Sequence, residues 1–197
     1  MDTTTESDLF FGSQTGCQGK IIIEVKDLSD INQWNEFASK HINHSVNPKI
    51  ITIGAGPDTL PLASLFQTLR WPMEFWDFRS KLLNPKFKEH QKLVSEQDLA
   101  NSIIKPDHDA LAVLLMSHHY HYDLAGFKFA LKNNAKFIGV LGPESRKQKL
   151  THDFRQKNDF VFDESIIYGP VGTEKLGYDE EAIALSIASQ LKKEFFH

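Results

Sequence analysis

The sequence predicts an α/β fold: a doubly wound, mostly parallel sheet with helices on both faces, preceded by a short β-hairpin segment. Three observations predict it. From residue 49 onward, short β-branched or apolar runs alternate with amphipathic stretches, the pattern of successive βαβ units. "ALAVLLM" (110–116) is apolar throughout, as a strand buried on both faces requires. "IITIGAGPDTLPLASLF" passes from strand residues through Gly54-Ala55-Gly56 into a helix, the start of a dinucleotide-binding turn. Together they define a Rossmann-like domain.

In chain order, residues 9–11 and 21–25 are β-prone and flank "GSQTGCQG", so a hairpin with a long loop is expected. Leu28, Ile31, Trp34, Phe37 and Ile42 recur at roughly helical spacing, and Asn47-Pro48 ends that helix. Strand 49–54 leads through the glycine turn to a helix reaching Arg70. Residues 73–78 and, more weakly, 91–94 read as strands. After the run 110–116 come a helix over 123–134, with Leu124, Phe127 and Leu131 on one stripe, and a strand over 135–142. A polar helix starts at 143 with proline in its first turn. The last helix, 179–195, repeats Ile183, Ile187, Leu191 and Phe195. It opens on Asp179, Glu180 and Glu181, which complement the helix dipole. Two domains are expected: 1–47, hairpin and helix, and 48–197, the Rossmann-like unit.

Composition narrows the functional classes. The 197 residues are 41% hydrophobic and 24% charged, an ordinary globular balance. Against 26 acidic residues stand 22 Lys and Arg, and the net charge of −4 offers no general attraction to nucleic acid or an anionic membrane. No apolar stretch approaches the ~20 residues that span a bilayer. The acidic start "MDTTTESD" does not read as a secretory signal. The single cysteine, Cys17, excludes an intramolecular disulfide and fits a cytoplasmic location.

The glycine turn supplies the first candidate binding residues. Gly54 permits the tight turn, and Gly56, with Ala55 between them, lets backbone amides approach a phosphate. The helix beginning near Asp58 directs its dipole at that group. Asp58 can also cap the helix, though its charge repels an anion. Asp77 closes the next strand, near the place where such folds hold an acid against a ribose hydroxyl. Thr59 stands at the third glycine position, and Pro61 removes one amide. Conventional NAD(P) binding is one reading; a turn serving only chain geometry is the other.

"SHHYHYD" (117–123) supplies the second set. It follows the strand at 110–116, and ligands of open α/β sheets bind at such carboxyl ends. Ser117 and His118 are expected to face the crevice, with Asp123 mainly a helix cap. His119, His121 and Asp123 have metal-ligand chemistry, but no cysteine or distant histidine pair supports a metal site, and the stretch reads as a pocket wall. Arg79, directly after the acidic strand end, and Arg146 with Lys147, after a strand, are placed to neutralise a phosphate. A solvated helix face is the alternative for Arg146 and Lys147. No catalytic pair emerges.

Four blocks, "IGAGPDTLPLASL…WDFR", "MSHHYHYDLAGFKFAL", "KFIGVLGPESRKQKL" and "GPVGTEKLGYDEEAIALSIASQL", together resemble the Rossmann domain of the XdhC/CoxI family over about residues 48–192. These are maturation factors of xanthine and carbon monoxide dehydrogenases. The resemblance implies an accessory chaperone, not a conventional dehydrogenase. It would bind the molybdenum cofactor, a phosphate-bearing pterin, and assist its sulfuration and insertion into a xanthine dehydrogenase-type molybdoenzyme. A cysteine desulfurase and a second copy of the chain are the further partners implied. Carried onto this chain, the binding residues are Gly54, Gly56 and Asp58, then Asp77 and Arg79, then Ser117, His118 and Asp123, then Leu141, Gly142 and Arg146, with Gly169–Gly172 toward the C-terminus. Pro143, Glu144 and Glu174 depart from the family pattern. Family members carry a larger N-terminal domain, of which 1–47 reads as a remnant. Cys17 is then the one thiol able to reach molybdenum, or else a small buried hydrophobe. The alternatives are an NAD(P)-dependent oxidoreductase using Asp77 and His118, and a nucleotide-binding regulatory remnant.

Overall fold

Six strands hydrogen-bond in the order β3-β2-β1-β4-β5-β6, and every neighbouring pair is parallel. The computed structural model describes residues 30, 32, 48–105, 108–157, 161–173 and 176–195. The expected hairpin and first helix, and Cys17, lie outside the described residues. The chain divides at residue 44, and the unit 45–197 carries the sheet.

β1 (Pro48–Ile53) and β4 (Ala110–Leu115) form the centre, in register from Pro48 opposite Ala110 to Ile53 opposite Leu115. All six residues of β4 are buried, which is why the run reads as continuously apolar. β2 (Met73–Asp77) and β3 (Gln91–Leu93) extend one side; β5 (Phe137–Val140) and β6 (Ile167–Tyr168) extend the other.

Side chains alternate across this sheet and build two cores. Ile50, Ala112 and Leu114 pack with Leu62 and Phe66 of α1 (Leu60–Leu69) and with Ile187 and Leu191 of α5 (Glu180–Phe195). On the opposite face Ile51, Val113 and Leu115 meet Leu99 of α2 (Glu96–Asn101). They also meet Phe127 and Phe129 of α3 (Tyr120–Lys132), with Leu150 and Phe154 of α4 (Glu144–Lys157). Burying a Leu or Phe side chain contributes roughly 1.5–3 kcal/mol before chain entropy is counted. The doubly wound architecture therefore draws stability from a buried core on each face. Strand order reverses between β1 and β4, and a crevice opens at such a reversal.

Five elements differ from the sequence reading. α3 begins at Tyr120, three residues before the expected start, because His119 is its N-cap and accepts the Tyr122 N–H on its imidazole. Asp123, expected to cap, instead lies one turn inside the helix. α2 and the 3₁₀ turns at Ser80–Leu82 and Pro85–His90 were not anticipated. Ser95 caps α2 by accepting the Asp98 N–H, a Ser-x-x-acid signal that the sequence does contain. β6 has only two residues, too few for a period to register.

Candidate functional site

Two loops meet where the strand order reverses. Gly54 ends β1 with φ +121°, a conformation open to glycine. A Cβ there would lie 2.6 Å from the Met116 carbonyl oxygen and 2.8 Å from the Ser117 Cα. The glycine turn thus presses directly on the exit of β4, as the sequence placed it. Across the mouth, His118 Nε2 sits 2.9 Å from Asp58 Oδ2. Asp58 therefore pairs with a side chain of the opposite loop and caps no helix; the 3₁₀ turn Pro57–Thr59 and α1 start without a side-chain cap.

The turn uses most of its amides internally. Gly54 N–H donates to Trp76 O, Ala55 N–H to Asp77 Oδ2 and Thr59 N–H to Gly56 O; Leu60 N–H donates to Pro57 O. Pro57 and Pro61 have no N–H. This leaves a smaller phosphate cradle than a full glycine fingerprint provides.

Asp77 is fully buried, and four donors meet its carboxylate. Arg79 N–H and Nε reach Oδ1, both at 2.9 Å; Ala55 N–H and Arg79 Nη2 reach Oδ2 at 2.8 and 2.9 Å. A carboxylate has about four acceptor sites, so no place remains for the ribose hydroxyl expected there. Burial pushes this carboxyl up, but the Arg79 side chain and the two amides outweigh it and hold it below the ordinary carboxylate range. Arg79 Nη2 also donates to Ser117 O at 3.0 Å, linking the ends of β2 and β4.

A second buried carboxylate ties β4 to α4. Asp123 Oδ1 accepts from Ser117 N–H (3.2 Å) and lies 2.5 Å from Ser117 Oγ, while Oδ2 lies 2.5 Å from Arg146 Nη2. Ser117 is buried and consumed by this network, not open to the crevice as expected. Arg146 is no solvated helix face: its guanidinium is half-buried against Asp123. Gly142, with φ +115°, turns the chain above it, and a Cβ there would meet Arg146 Cδ at 3.1 Å.

The candidate residues from Gly54 to Arg146 thus form one connected rim along the carboxyl edge of β1, β2, β4 and β5. Among the described residues, no group of three or more His, Cys, Asp or Glu is placed to hold a metal ion. Phe78, which the sequence marks only as the end of a strand, packs its ring on His119 and Tyr122. Its position directly after Asp77 is the signal that places it on the rim.

The family described as the XdhC Rossmann domain matches residues 50–191. This chain belongs to the XdhC family. A relative from Bacillus subtilis strain 168, named as a probable subunit of xanthine dehydrogenase, is 30% identical over 148 residues, which cover 73% of this chain and 42% of the relative. A crystal structure described as a xanthine dehydrogenase from Bacillus halodurans superposes with a TM-score of 0.61 at 28% identity. It covers 75% of this chain and 42% of that one. This XdhC-family chain therefore spans less than half the length of either. No helix among its described residues is long and apolar enough to cross a membrane.

Proposed function

We propose that this protein is an accessory factor of a xanthine dehydrogenase-type molybdoenzyme, and that its crevice holds the molybdenum cofactor for maturation and delivery. The supporting observation is the contact of the Gly54 turn with the β4 exit, which brings both loops of the switch point onto one rim in a chain whose relatives bear xanthine dehydrogenase names.

The rim fits a phosphate-bearing organic group. Two of its carboxylates are each matched by a guanidinium, Asp77 by Arg79 and Asp123 by Arg146, and Asp58 is hydrogen-bonded to His118. The two buried carboxylates therefore present no unbalanced charge to an arriving anion. Arg79 and Arg146 use only part of their five N–H donors on these partners and keep others for a phosphate. Gly56 supplies close backbone approach. When bound, the cofactor supplies its molybdenum centre to the target enzyme; the rim residues orient its phosphate. The thiol role that the family resemblance implies for Cys17 falls outside the described residues. A cysteine desulfurase, a second copy of the chain and a cytoplasmic setting belong to the same proposal and rest on the family resemblance alone.

An NAD(P) oxidoreductase is supported less well, because Asp77 has no acceptor left for a ribose hydroxyl. Anaerobic calorimetric titration of the full chain with molybdenum cofactor, NADH and NADPH tests the choice. The expected result is saturable binding of molybdenum cofactor; binding of nicotinamide nucleotides alone overturns the proposal.

A further inference from the structure

An exposed aromatic side chain stands beside the residues proposed to hold phosphate. Phe78 directly follows Asp77 and is 38% exposed. A single exposed aromatic is ordinary on a protein surface, but this ring is held in place. Tyr122 lies 4.8 Å away between centroids, His119 meets it nearly edge-on at 5.2 Å, and the Arg79 guanidinium carbon sits 5.1 Å over the ring. Tyr122 is locked in turn: it is fully buried, and its hydroxyl donates to Val94 O at 2.9 Å. The Nδ1 of His119 accepts the Tyr122 N–H at 3.4 Å. That puts the ring proton on Nε2 and makes this nitrogen a hydrogen-bond donor on an exposed side chain.

An apolar ring, an N–H donor and a guanidinium, all pre-positioned, are the recognition set for a planar heteroaromatic ring with acceptor atoms at its edge. Their place on the rim is fixed by bonds already described. Asp77, the residue before Phe78, takes the Ala55 N–H of the glycine turn, and Arg79, the residue after it, reaches Ser117 O. We propose that Phe78, His119 and Arg79 form a stacking subsite for the ring of a phosphate-bearing ligand, beside the turn that receives its phosphate. This rests on the crevice being a ligand site, as in the proposed function, but not on which cofactor fills it, since pterin and adenine share the chemistry. It also gives the histidine-rich stretch a division of labour: His118 spans the mouth and His119 serves the ring.

The full chain is titrated with hydroxymethylpterin phosphate, AMP and inorganic phosphate, for the parent and for Phe78→Leu, Phe78→Trp and His119→Asn, the last keeping a side chain able to cap α3. Phe78→Leu should weaken the ring-bearing probe about tenfold, the usual worth of one stacked ring. It should leave inorganic phosphate unchanged, and Phe78→Trp should restore the ring-probe affinity. His119→Asn gives the same split should Phe78→Leu fold poorly. Equal loss for inorganic phosphate and ring probes overturns the subsite, as does no loss for either, or a parent that binds no ring probe. If AMP binds through Phe78 and the pterin does not bind, the subsite stands and the molybdenum cofactor reading falls.

Discussion

His118 Nε2 and Asp58 Oδ2 stand 2.9 Å apart although 60 residues separate them in sequence. The pair bridges the two loops of the crevice mouth, yet His118 is 65% exposed and adopts φ +56°, the left-handed region. A left-handed backbone costs a side-chain-bearing residue about 1 kcal/mol, whereas an exposed ion pair returns less than about 1 kcal/mol. His118→Gly is therefore expected to match or exceed the parent's stability, and His118→Ala to fall about 0.5 kcal/mol below it. Urea unfolding of the three proteins checks this. An alanine variant more stable than the glycine variant would show that the backbone is not what the glycine relieves.

Gly54 and Gly56 sit two residues apart but should differ sharply in what alanine costs. At Gly54 the new methyl meets backbone, 2.6 Å from Met116 O, at a φ that disfavours any side chain. A loss of about 3 kcal/mol or more is expected, the scale of overpacking and backbone strain combined. At Gly56, φ is −67°, and the methyl meets only Asp58 Oδ1, at 2.7 Å, the end of a movable side chain. Gly56→Ala should cost less than about 1 kcal/mol. It should also push Asp58 away from His118, visible as a changed His118 imidazole signal in NMR.

The sheet was legible because strands buried on both faces leave unbroken apolar runs, as in 110–115, and because Gly54 marks where β1 must turn under β4. What was not legible is which polar groups satisfy one another. Asp77, Ser117, Asp123 and Arg146 are placed by sequence position at the strand-end rim, where the structure has them. Sequence cannot tell that Asp77 spends its acceptors on Arg79 and Ala55, or that Asp123 lies inside a helix and binds Arg146 on the next one. Those pairings depend on side-chain reach across elements. The early start of α3 was hidden for a related reason, since histidine is an uncommon cap and its capping role appears only once Tyr122 is in place.

The depressed Asp77 carboxyl makes a pH prediction. A group held below its ordinary value in the folded state stabilises the fold above its unfolded pKa, about 3.9, and loses that contribution as pH falls through the lower folded value. Asp77→Asn removes the charge opposite Arg79, which is only partly buried, and should cost about 2–3 kcal/mol at pH 7. The gap between parent and variant should narrow steadily below about pH 4. Denaturant titrations between neutral and acid pH measure it. A constant gap would mean that Asp77 acts through shape and hydrogen bonding instead of charge.

Asp123 and Arg146 should behave as one unit. Asp123 is buried and shares Ser117 with the β4 exit; its other oxygen rests on Arg146, one helix away. Removing either partner leaves the other's charge desolvated without a counterpart, so Asp123→Asn and Arg146→Met should each cost about 3 kcal/mol. The double variant leaves no orphan charge, and its cost should fall short of the summed single costs by about 1–3 kcal/mol. Additive costs would mean that Arg146 is already satisfied by solvent and that the contact does not hold α4 to the rim. The same cycle read by inorganic phosphate affinity separates structure from binding. Arg146→Met should lower affinity even when Asp123 is also changed, because its spare N–H donors are lost either way, whereas Asp123→Asn alone should hold or raise the affinity by freeing Arg146 for the anion.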